Sequence, residues 1–207
     1  MSDLKSHWEK VYTSKRASKV SWYQPHLRLS VELIERSGVA HGDRIIDVGG
    51  GASTLVDDLL DRGFRNITVL DLSSLAIDIS QRRLGNQGTD VEWIVGDVTQ
   101  ARLRERAYRL WHDRAVFHFL TNPEDRRAYV RQVRHALSQG GLVIISTFSP
   151  DGPAKCSGLE VCRYSPETLL EELGTGFKLL ESHSENHRTP LNATQGFIYC
   201  LFSSESR

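Results

Sequence analysis

The sequence contains little cysteine and no long hydrophobic run. Its three cysteines, Cys156, Cys162 and Cys200, are odd in number and too few for a disulfide scaffold, which favours a reducing compartment. No apolar stretch approaches the length needed to cross a membrane, and Met1–Lys5 has no apolar signal core. We therefore expect a soluble, cytoplasmic protein that has no membrane partner.

An excess of charge of either sign is also absent. The chain has 26 Lys and Arg residues and 26 Asp and Glu residues, so its formal net charge is zero. Proteins that scan nucleic acid present a basic face to the phosphates, so we expect no nucleic-acid partner. A length of 207 residues suits one α/β domain with a sizeable core, and no linker indicates a second domain.

A glycine-rich turn follows the apolar pair Ile45-Ile46. The stretch Asp47-Val48-Gly49-Gly50-Gly51-Ala52-Ser53 predicts a buried strand that turns tightly into a helix. Glycines in such a turn let backbone N–H groups approach a ligand because no Cβ is in the way. Asp71 ends the next apolar run, where a carboxylate accepts the ribose hydroxyls of a nucleoside. Together these features predict a nucleoside-cofactor site at the carboxyl ends of a parallel sheet.

The composition of the turn discriminates between two cofactors, a dinucleotide and S-adenosylmethionine (SAM). The third glycine of a dinucleotide loop is replaced by Thr54, and Asp47 would repel a pyrophosphate. A carboxylate at Asp47 suits the ammonium and sulfonium of SAM. A third predicted strand, Val91–Val95, ends in Gly96-Asp97-Val98, where the acid can accept the adenine amino group. A flavin or nicotinamide domain, or a relative of this fold without cofactor, is the alternative.

The order D-x-G-x-G, then D, then G-D resembles class I SAM-dependent methyltransferases over residues 43–150, and more weakly to the end of the chain. This resemblance implies a Rossmann-like, seven-stranded, mostly parallel α/β sheet with helices on both faces and a C-terminal antiparallel hairpin. It also implies SAM as the cofactor. The five-residue gap between Cys156 and Cys162 and the lack of partner ligands predict no metal site. The expected cofactor-binding residues are Asp47, Gly49, Gly50, Gly51, Asp71, Leu72, Asp97, Val98 and Trp22.

The periodicity of apolar residues predicts alternating strands and helices. We expect a single domain with an N-terminal helical lid (1–40), a cofactor-binding core (43–150) and a substrate-side loop with the C-terminal hairpin (151–207). The predicted helices are 7–12, 26–37, 53–62, 74–84, 123–138 and 165–173. The predicted strands are 44–48, 67–71, 91–95, 108–113, 142–148, 177–186 and 195–203.

The methyl acceptor is expected at the end of the fourth strand, in Trp111–Phe119. This segment resembles the W-D-R-G/A-apolar segment of thiopurine S-methyltransferases, with His112 inserted. It also resembles the D-K-G-T-F/L-D segment of seven-strand protein lysine methyltransferases, with His118 near the position of that segment's final Asp. Asp113-Arg114-Ala115 matches both patterns. His7–Tyr12 is similar to the H-W-x-x-x-Y opening of some lysine methyltransferases and of small-molecule enzymes.

Several residues are candidates for chemistry or substrate contact. His112 and His118 are candidate general bases, and Asp113 is a candidate catalytic residue that orients a neighbour or contacts the cofactor. The alternative for either histidine is a buried, hydrogen-bonded side chain with no role in transfer. The expected substrate-binding residues are Tyr23, Arg114, Phe119, Phe148, Cys156 and His187.

The sequence predicts a SAM-dependent methyltransferase that acts on a small-molecule acceptor. The resemblance to thiopurine methyltransferases favours a thiol or another soft nucleophile, which needs no base when it is already ionised. Two alternatives stay open at this point. One is a protein lysine methyltransferase, and the other is a module that binds SAM without catalysis.

Overall fold

The computed structural model describes residues 2–205 of the chain. The helices are α1 (Ser2–Ser14), α2 (Arg28–Arg36), α3 (Leu55–Asp61), α4 (Ser74–Leu84), α5 (Pro123–Ala136) and α6 (Pro166–Leu173). The strands are β1 (Ile45–Val48), β2 (Ile67–Asp71), β3 (Glu92–Val95), β4 (Tyr108–Arg114), β5 (Leu137–Phe148), β6 (Lys155–Cys156), β7 (Leu159–Glu160), β8 (Phe177–Arg188) and β9 (Thr194–Ser204). In the described part of the chain, no helix has the length and apolar character needed to cross a membrane.

Seven strands form one sheet in the order β3-β2-β1-β4-β5-β9-β8. Strands β1 to β5 are parallel, and β9 pairs antiparallel with both β5 and β8. This confirms the predicted sheet and its C-terminal antiparallel hairpin. Every residue of β1 is buried, as is typical of a central parallel strand that is covered on both faces.

Two hydrophobic clusters hold the helices against opposite faces of the sheet. Ile45 of β1 belongs to the cluster that includes residues of α2 and α3, whereas Ile46 belongs to the cluster that includes residues of α5 and α6. Successive side chains of a strand point to opposite faces, so the adjacent isoleucines anchor both layers. Helices on both faces of the sheet are therefore confirmed.

Side-chain caps begin helices α4 and α5. Ser73 accepts a hydrogen bond from Ala76 N at the start of α4, and Asn122 accepts one from Glu124 N at the start of α5. Such caps satisfy backbone donors that the first helical turn leaves free. The predicted bounds of β2 and α4 agree with the structure to the residue.

The structure corrects several predicted bounds. Helix α1 is longer than the predicted 7–12, and the predicted irregular loop after β5 contains the short antiparallel pair of β6 and β7. Strand β5 starts at Leu137, which pairs with Tyr108 across a register shift, so α5 ends earlier than predicted. His187 lies within β8 and not in a turn, because the β8–β9 ladder continues to the pair Arg188 and Thr194.

Candidate cofactor and acceptor site

A cleft opens at the carboxyl ends of the parallel strands. Its empty volume is about 990 Å³, including the part open to solvent. Gly49, Asp71 and Asp97 line it from the ends of β1, β2 and β3, and Trp8 and Trp22 line it from the N-terminal segment (residues 2–27). Ligands of open α/β sheets bind at this edge, so the predicted cofactor residues lie where a nucleoside site is expected.

The glycine turn after β1 is packed too tightly for side chains. Gly49 has a φ of +71°, which favours glycine, and its N–H donates to Leu70 O at 2.7 Å. A Cβ at Gly49 would collide with the side chain of Val116, and one at Gly51 would lie 2.6 Å from Ala76 Cβ. The turn therefore depends on glycine at both positions.

The Asp71 carboxylate lies at the centre of the nucleoside side of the cleft. Its Oδ2 accepts from Gly51 N at 3.0 Å, and its Oδ1 accepts from Ser73 N at 2.8 Å. Each oxygen retains a lone pair, so the oriented carboxylate can also accept ribose hydroxyls. Burial raises the pKa of Asp71 to about 6, although the two N–H donors act to lower it.

Because of this raised pKa, we expect the affinity for S-adenosylhomocysteine to fall as the pH drops below about 6. The ionised carboxylate is the form that accepts both ribose hydroxyls, so binding releases a proton near that pH. Below the pKa, affinity should fall by about tenfold per pH unit. Calorimetry in two buffers of different ionisation enthalpy measures the proton release directly. A flat affinity between pH 5 and pH 7.5, with no proton release, would contradict the assignment of Asp71 to the ribose.

Asp97 and its neighbours form the next part of the cleft. Asp97 Oδ1 accepts from both the N–H and the hydroxyl of Thr99, at 2.8 and 2.7 Å. These bonds fix the side chain and leave its second oxygen for a ligand. Leu72 and Val98 line the same region. The arrangement suits an adenine base between apolar side chains, with its amino group near the carboxylate.

A smaller cleft, with an empty volume of about 500 Å³, shares Gly49 and Arg114 with the larger one. It is also lined by Asp47, Gly50 and Tyr23. Asp47 is buried, and its Oδ2 has no hydrogen-bond partner within residues 2–205. A buried carboxylate oxygen without a partner is costly, so a cationic ligand group is favoured there.

Arg114 contributes the opposite charge to the smaller cleft. Its Nε donates to Tyr199 Oη at 2.7 Å and its Nη1 donates to Trp22 O at 2.9 Å. Its Nη2 has no hydrogen-bond partner in the described chain, although Glu185 Oε2 lies 3.8 Å away. The unpartnered atoms of Asp47 and Arg114 therefore fit the ammonium and carboxylate of an amino acid. The residues present fit SAM, which has an amino-acid end and a nucleoside end.

The remaining wall of the larger cleft is aromatic. The Trp8 ring lies edge-on to Trp22 and Phe119, with centroids 5.5 and 5.1 Å away, and Tyr12 lines the same wall. Cys156 also lines the cleft, and burial raises the pKa of its thiol to about 11. A neutral thiol and aromatic rings form a surface that excludes water from an acceptor.

Of the predicted catalytic residues, His112 lines the smaller cleft, whereas His118 and Asp113 line neither cleft. His118 is fully buried against Phe119 and Phe148, and it lines neither cleft. Burial lowers the pKa of His118 to about 3, so the ring is neutral. His112 lines the smaller cleft, and both of its ring nitrogens are in hydrogen bonds. General-base roles for the two histidines stay predictions.

Asp113 supports the turn that follows β4. Its carboxylate accepts from Val116 N at 2.8 Å, Phe117 N at 3.0 Å and Tyr129 Oη at 2.6 Å. Burial raises the pKa of Asp113 to about 6. The side chain lines neither cleft, which suits the orienting role and places it away from any acceptor.

The predicted substrate residues divide into two groups. Tyr23, Arg114, Phe119 and Cys156 line the clefts, and their roles in substrate binding stay predictions. Phe148 and His187 line neither cleft. Phe148 packs against Phe197, and His187 Nε2 donates to Ser21 O at 2.7 Å while its Nδ1 accepts from Gln24 Nε2 at 3.1 Å. His187 therefore fastens the N-terminal segment to β8.

Trp8, Tyr12 and Asp125 line the larger cleft and were not among the predicted site residues. The signal for the first two was present in the sequence, because residues four apart lie on the same face of a helix. Asp125 lies in the first turn of α5, and its position at the cleft follows only from the packing of that helix.

Residues 45–141 match a family model described as a methyltransferase domain. EEF1A lysine methyltransferase 2 of Homo sapiens is 22% identical over 191 residues, which cover 86% of this chain and 75% of that protein. The protein of the same name from Danio rerio is 24% identical over 190 residues, covering 85% of this chain and 76% of its own length.

A solved structure with a similar fold is 1,6-didemethyltoxoflavin-N1-methyltransferase of Burkholderia thailandensis, with bound 1,6-didemethyltoxoflavin and S-adenosylhomocysteine. Its TM-score is 0.72 at 19% identity, and the match covers 99% of this chain and 87% of that one. The matched domain and the fold support a class I SAM-dependent methyltransferase, with SAM as its cofactor.

Proposed function

We propose that this protein transfers the methyl group of SAM to a small-molecule acceptor. The observation that carries the proposal is the aromatic wall of Trp8, Tyr12, Trp22 and Phe119 beside the cofactor residues. The N-terminal segment supplies three of these side chains and is fastened over the cleft, since Arg114 holds Trp22 O and Glu9 Oε1 accepts from Ser74 N at 2.8 Å. A covered apolar pocket suits a compact acceptor.

The residues of the chain provide binding, orientation and exclusion of water. SAM supplies a methyl group activated by its sulfonium, which leaves as the neutral thioether S-adenosylhomocysteine when an acceptor lone pair attacks in line. Asp71 and Asp97 hold the nucleoside, Asp47 and Arg114 hold the amino-acid end, and the aromatic wall aligns a dehydrated acceptor.

The acceptor side favours a nucleophile that ionises by itself. Of the described residues that line the larger cleft, none is histidine. Burial keeps Cys156 protonated at neutral pH, so it is no base. A thiol acceptor needs no such group, because thiols ionise near physiological pH. We therefore propose a thiol or another soft nucleophile as the acceptor.

Protein lysine methylation is a second candidate. The Asp125 carboxylate lines the larger cleft together with the aromatic rings, and this combination can bind an ammonium group. The similarity to EEF1A lysine methyltransferase 2 supports the same acceptor type. The wall formed by Trp8, Tyr12 and Trp22 opposes it, because a side chain anchored on a folded protein needs an open approach.

Labelling with methyl-labelled SAM in a cell extract separates these candidates. We expect label in the volatile or small-molecule fraction, and we expect its loss when the extract is first passed through a desalting column. Label in acid-precipitated protein that survives desalting would favour the lysine candidate. Binding of SAM with no transfer in either extract would favour a module without catalysis. A variant with Asp71→Ala is the negative control, because it removes the ribose acceptor.

The same proposal includes a single catalytic domain in the cytoplasm, with no nucleic-acid or membrane partner. These features were predicted from the sequence and stay predictions. The contacts between Gln24 and both Glu185 and His187 support the single domain, because they join the N-terminal segment to the C-terminal hairpin. The oligomeric state carries no prediction.

A further inference from the structure

A chain of three buried polar side chains runs from helix α2 to strand β1. Ser30 Oγ lies 2.9 Å from His112 Nε2, and His112 Nδ1 lies 2.7 Å from Asp47 Oδ1. The exposed fractions of Ser30, His112 and Asp47 are 0%, 1% and 3%. The contacts join three different elements, α2, β4 and β1, so this hydrogen-bonded series of side chains is a feature of the tertiary structure.

The chemistry of the groups assigns the protons. An ionised carboxylate only accepts hydrogen bonds, so His112 Nδ1 carries the hydrogen that is donated to Asp47. In a ring with its only hydrogen on Nδ1, Nε2 is an acceptor for the Ser30 hydroxyl. Asp47 Oδ1 is thereby satisfied, whereas Asp47 Oδ2 stays without a partner in the described chain.

The same three residue types act as nucleophile, base and orienting acid in many hydrolases. Ser30 is fully buried and lines neither of the two clefts, so an acyl substrate has no approach to its hydroxyl. Asp47 and His112, in contrast, both line the smaller cleft. Of the three residues, Asp47 is the one that borders a cleft and also keeps an unpartnered oxygen, Oδ2, so the function of these three side chains lies there.

We propose that His112 is a positioning residue for the cofactor. It orients Asp47 so that Oδ2 receives the α-ammonium of SAM, and Ser30 holds the His112 ring in place through Nε2. In metal sites, too, the hydrogen bond at one ring nitrogen of a histidine orients the ring for the group bound at the other nitrogen. The inference rests on the SAM cofactor and not on the proposed acceptor, so its test needs no methyl transfer.

The test compares two ligands that share the nucleoside but differ in the amino-acid end. S-adenosylhomocysteine has the ammonium, and 5′-methylthioadenosine has no amino-acid group. We expect His112→Leu to lower the affinity for S-adenosylhomocysteine by about 10- to 100-fold. The affinity for 5′-methylthioadenosine should stay within about twofold of the parent value. Because the second ligand reports an intact nucleoside site, a merely unfolded variant is distinguished by titration calorimetry.

Conservative variants sharpen the result. His112→Asn keeps an N–H donor near the position of Nδ1, so it should recover most of the affinity for S-adenosylhomocysteine. Ser30→Ala should weaken that ligand by only about threefold, since it removes the outer bond of the chain. His135→Leu is the matched control, because His135 bonds Leu103 O away from both clefts and should change neither affinity.

Two results would overturn the proposal. Equal loss of both ligands in His112→Leu would show that the ring supports the fold in general. Unchanged affinity for S-adenosylhomocysteine in that variant would show that Asp47 needs no orientation. Nitrogen NMR of the unsubstituted protein gives an independent check, because the proposal requires the hydrogen on Nδ1 of His112. A ring with its only hydrogen on Nε2 would overturn it even if no variant folds.

Discussion

Asp71→Ala is expected to weaken SAM binding by at least about 100-fold while the chain stays folded. Two hydrogen bonds from ribose hydroxyls to a charged acceptor are worth about 3–6 kcal/mol together, and alanine removes both. The fold tolerates the change because burial raises the pKa of Asp71 to about 6, so at pH 7 its charge is held at a cost. That cost offsets the two lost bonds to Gly51 N and Ser73 N.

The pH dependence of stability also favours a folded Asp71→Ala variant at pH 7. An acid whose pKa is raised on folding stabilises the fold least above its folded pKa, so removal of Asp71 should be better tolerated at pH 7 than at pH 4. Calorimetry gives the affinity and thermal unfolding gives the stability. Asp78→Ala, on the exposed side of α4, is the control and should change neither. Near-normal SAM affinity in Asp71→Ala would reject the assignment of the glycine turn and β2 to the nucleoside.

Asp113→Ala is expected to lower the free energy of unfolding by about 3 kcal/mol or more. The substitution leaves three buried donors without their acceptor, namely Val116 N, Phe117 N and Tyr129 Oη. Each buried donor that loses its partner costs about 1–3 kcal/mol, and removal of a buried charge with a raised pKa offsets part of the sum. Ala115 in the same turn has a φ of +70°, a conformation that the bonds to Asp113 hold in place.

Urea unfolding measures this loss. Tyr129→Phe should give a smaller loss of about 1–2 kcal/mol, since it removes one bond to Asp113 and the acceptor of Trp111 Nε1. Asp151→Ala, at an exposed position, is the control and should stay within about 0.5 kcal/mol of the parent. A loss below about 1 kcal/mol in Asp113→Ala would mean that water or repacking satisfies the three donors.

The cofactor side was predictable from short stretches of sequence. Ile45-Ile46 before the glycines, and Ile67–Leu70 before Asp71, are apolar runs bounded by turn residues, so strand, turn and functional residue are specified within a few positions. Gly49 needs a positive φ and Gly51 has no room for a Cβ, so the geometry of the turn is recognisable from its glycines. Gly96 and Asp97 likewise follow directly after the apolar strand β3.

The acceptor side was predicted less well, because side-chain orientation depends on which elements pack behind each strand. His118 was a candidate base, yet its ring is enclosed by Phe119 and Phe148. His187 was expected at a hairpin rim, yet the ladder to β9 extends past it and turns its ring toward Ser21 and Gln24. Periodicity gives neither the register of β8 nor the depth of the turn after β4.

The sequence by itself determined the parallel sheet, the cofactor and the residues proposed to hold its nucleoside, because those depend on local runs of apolar residues, glycines and single carboxylates at strand ends. Only the tertiary structure decided that His112 joins Ser30 to Asp47 and that Trp8 and Tyr12 line the cleft. The reason is distance along the chain. These contacts join α1, α2, β1 and β4, and no local pattern encodes which of their faces meet.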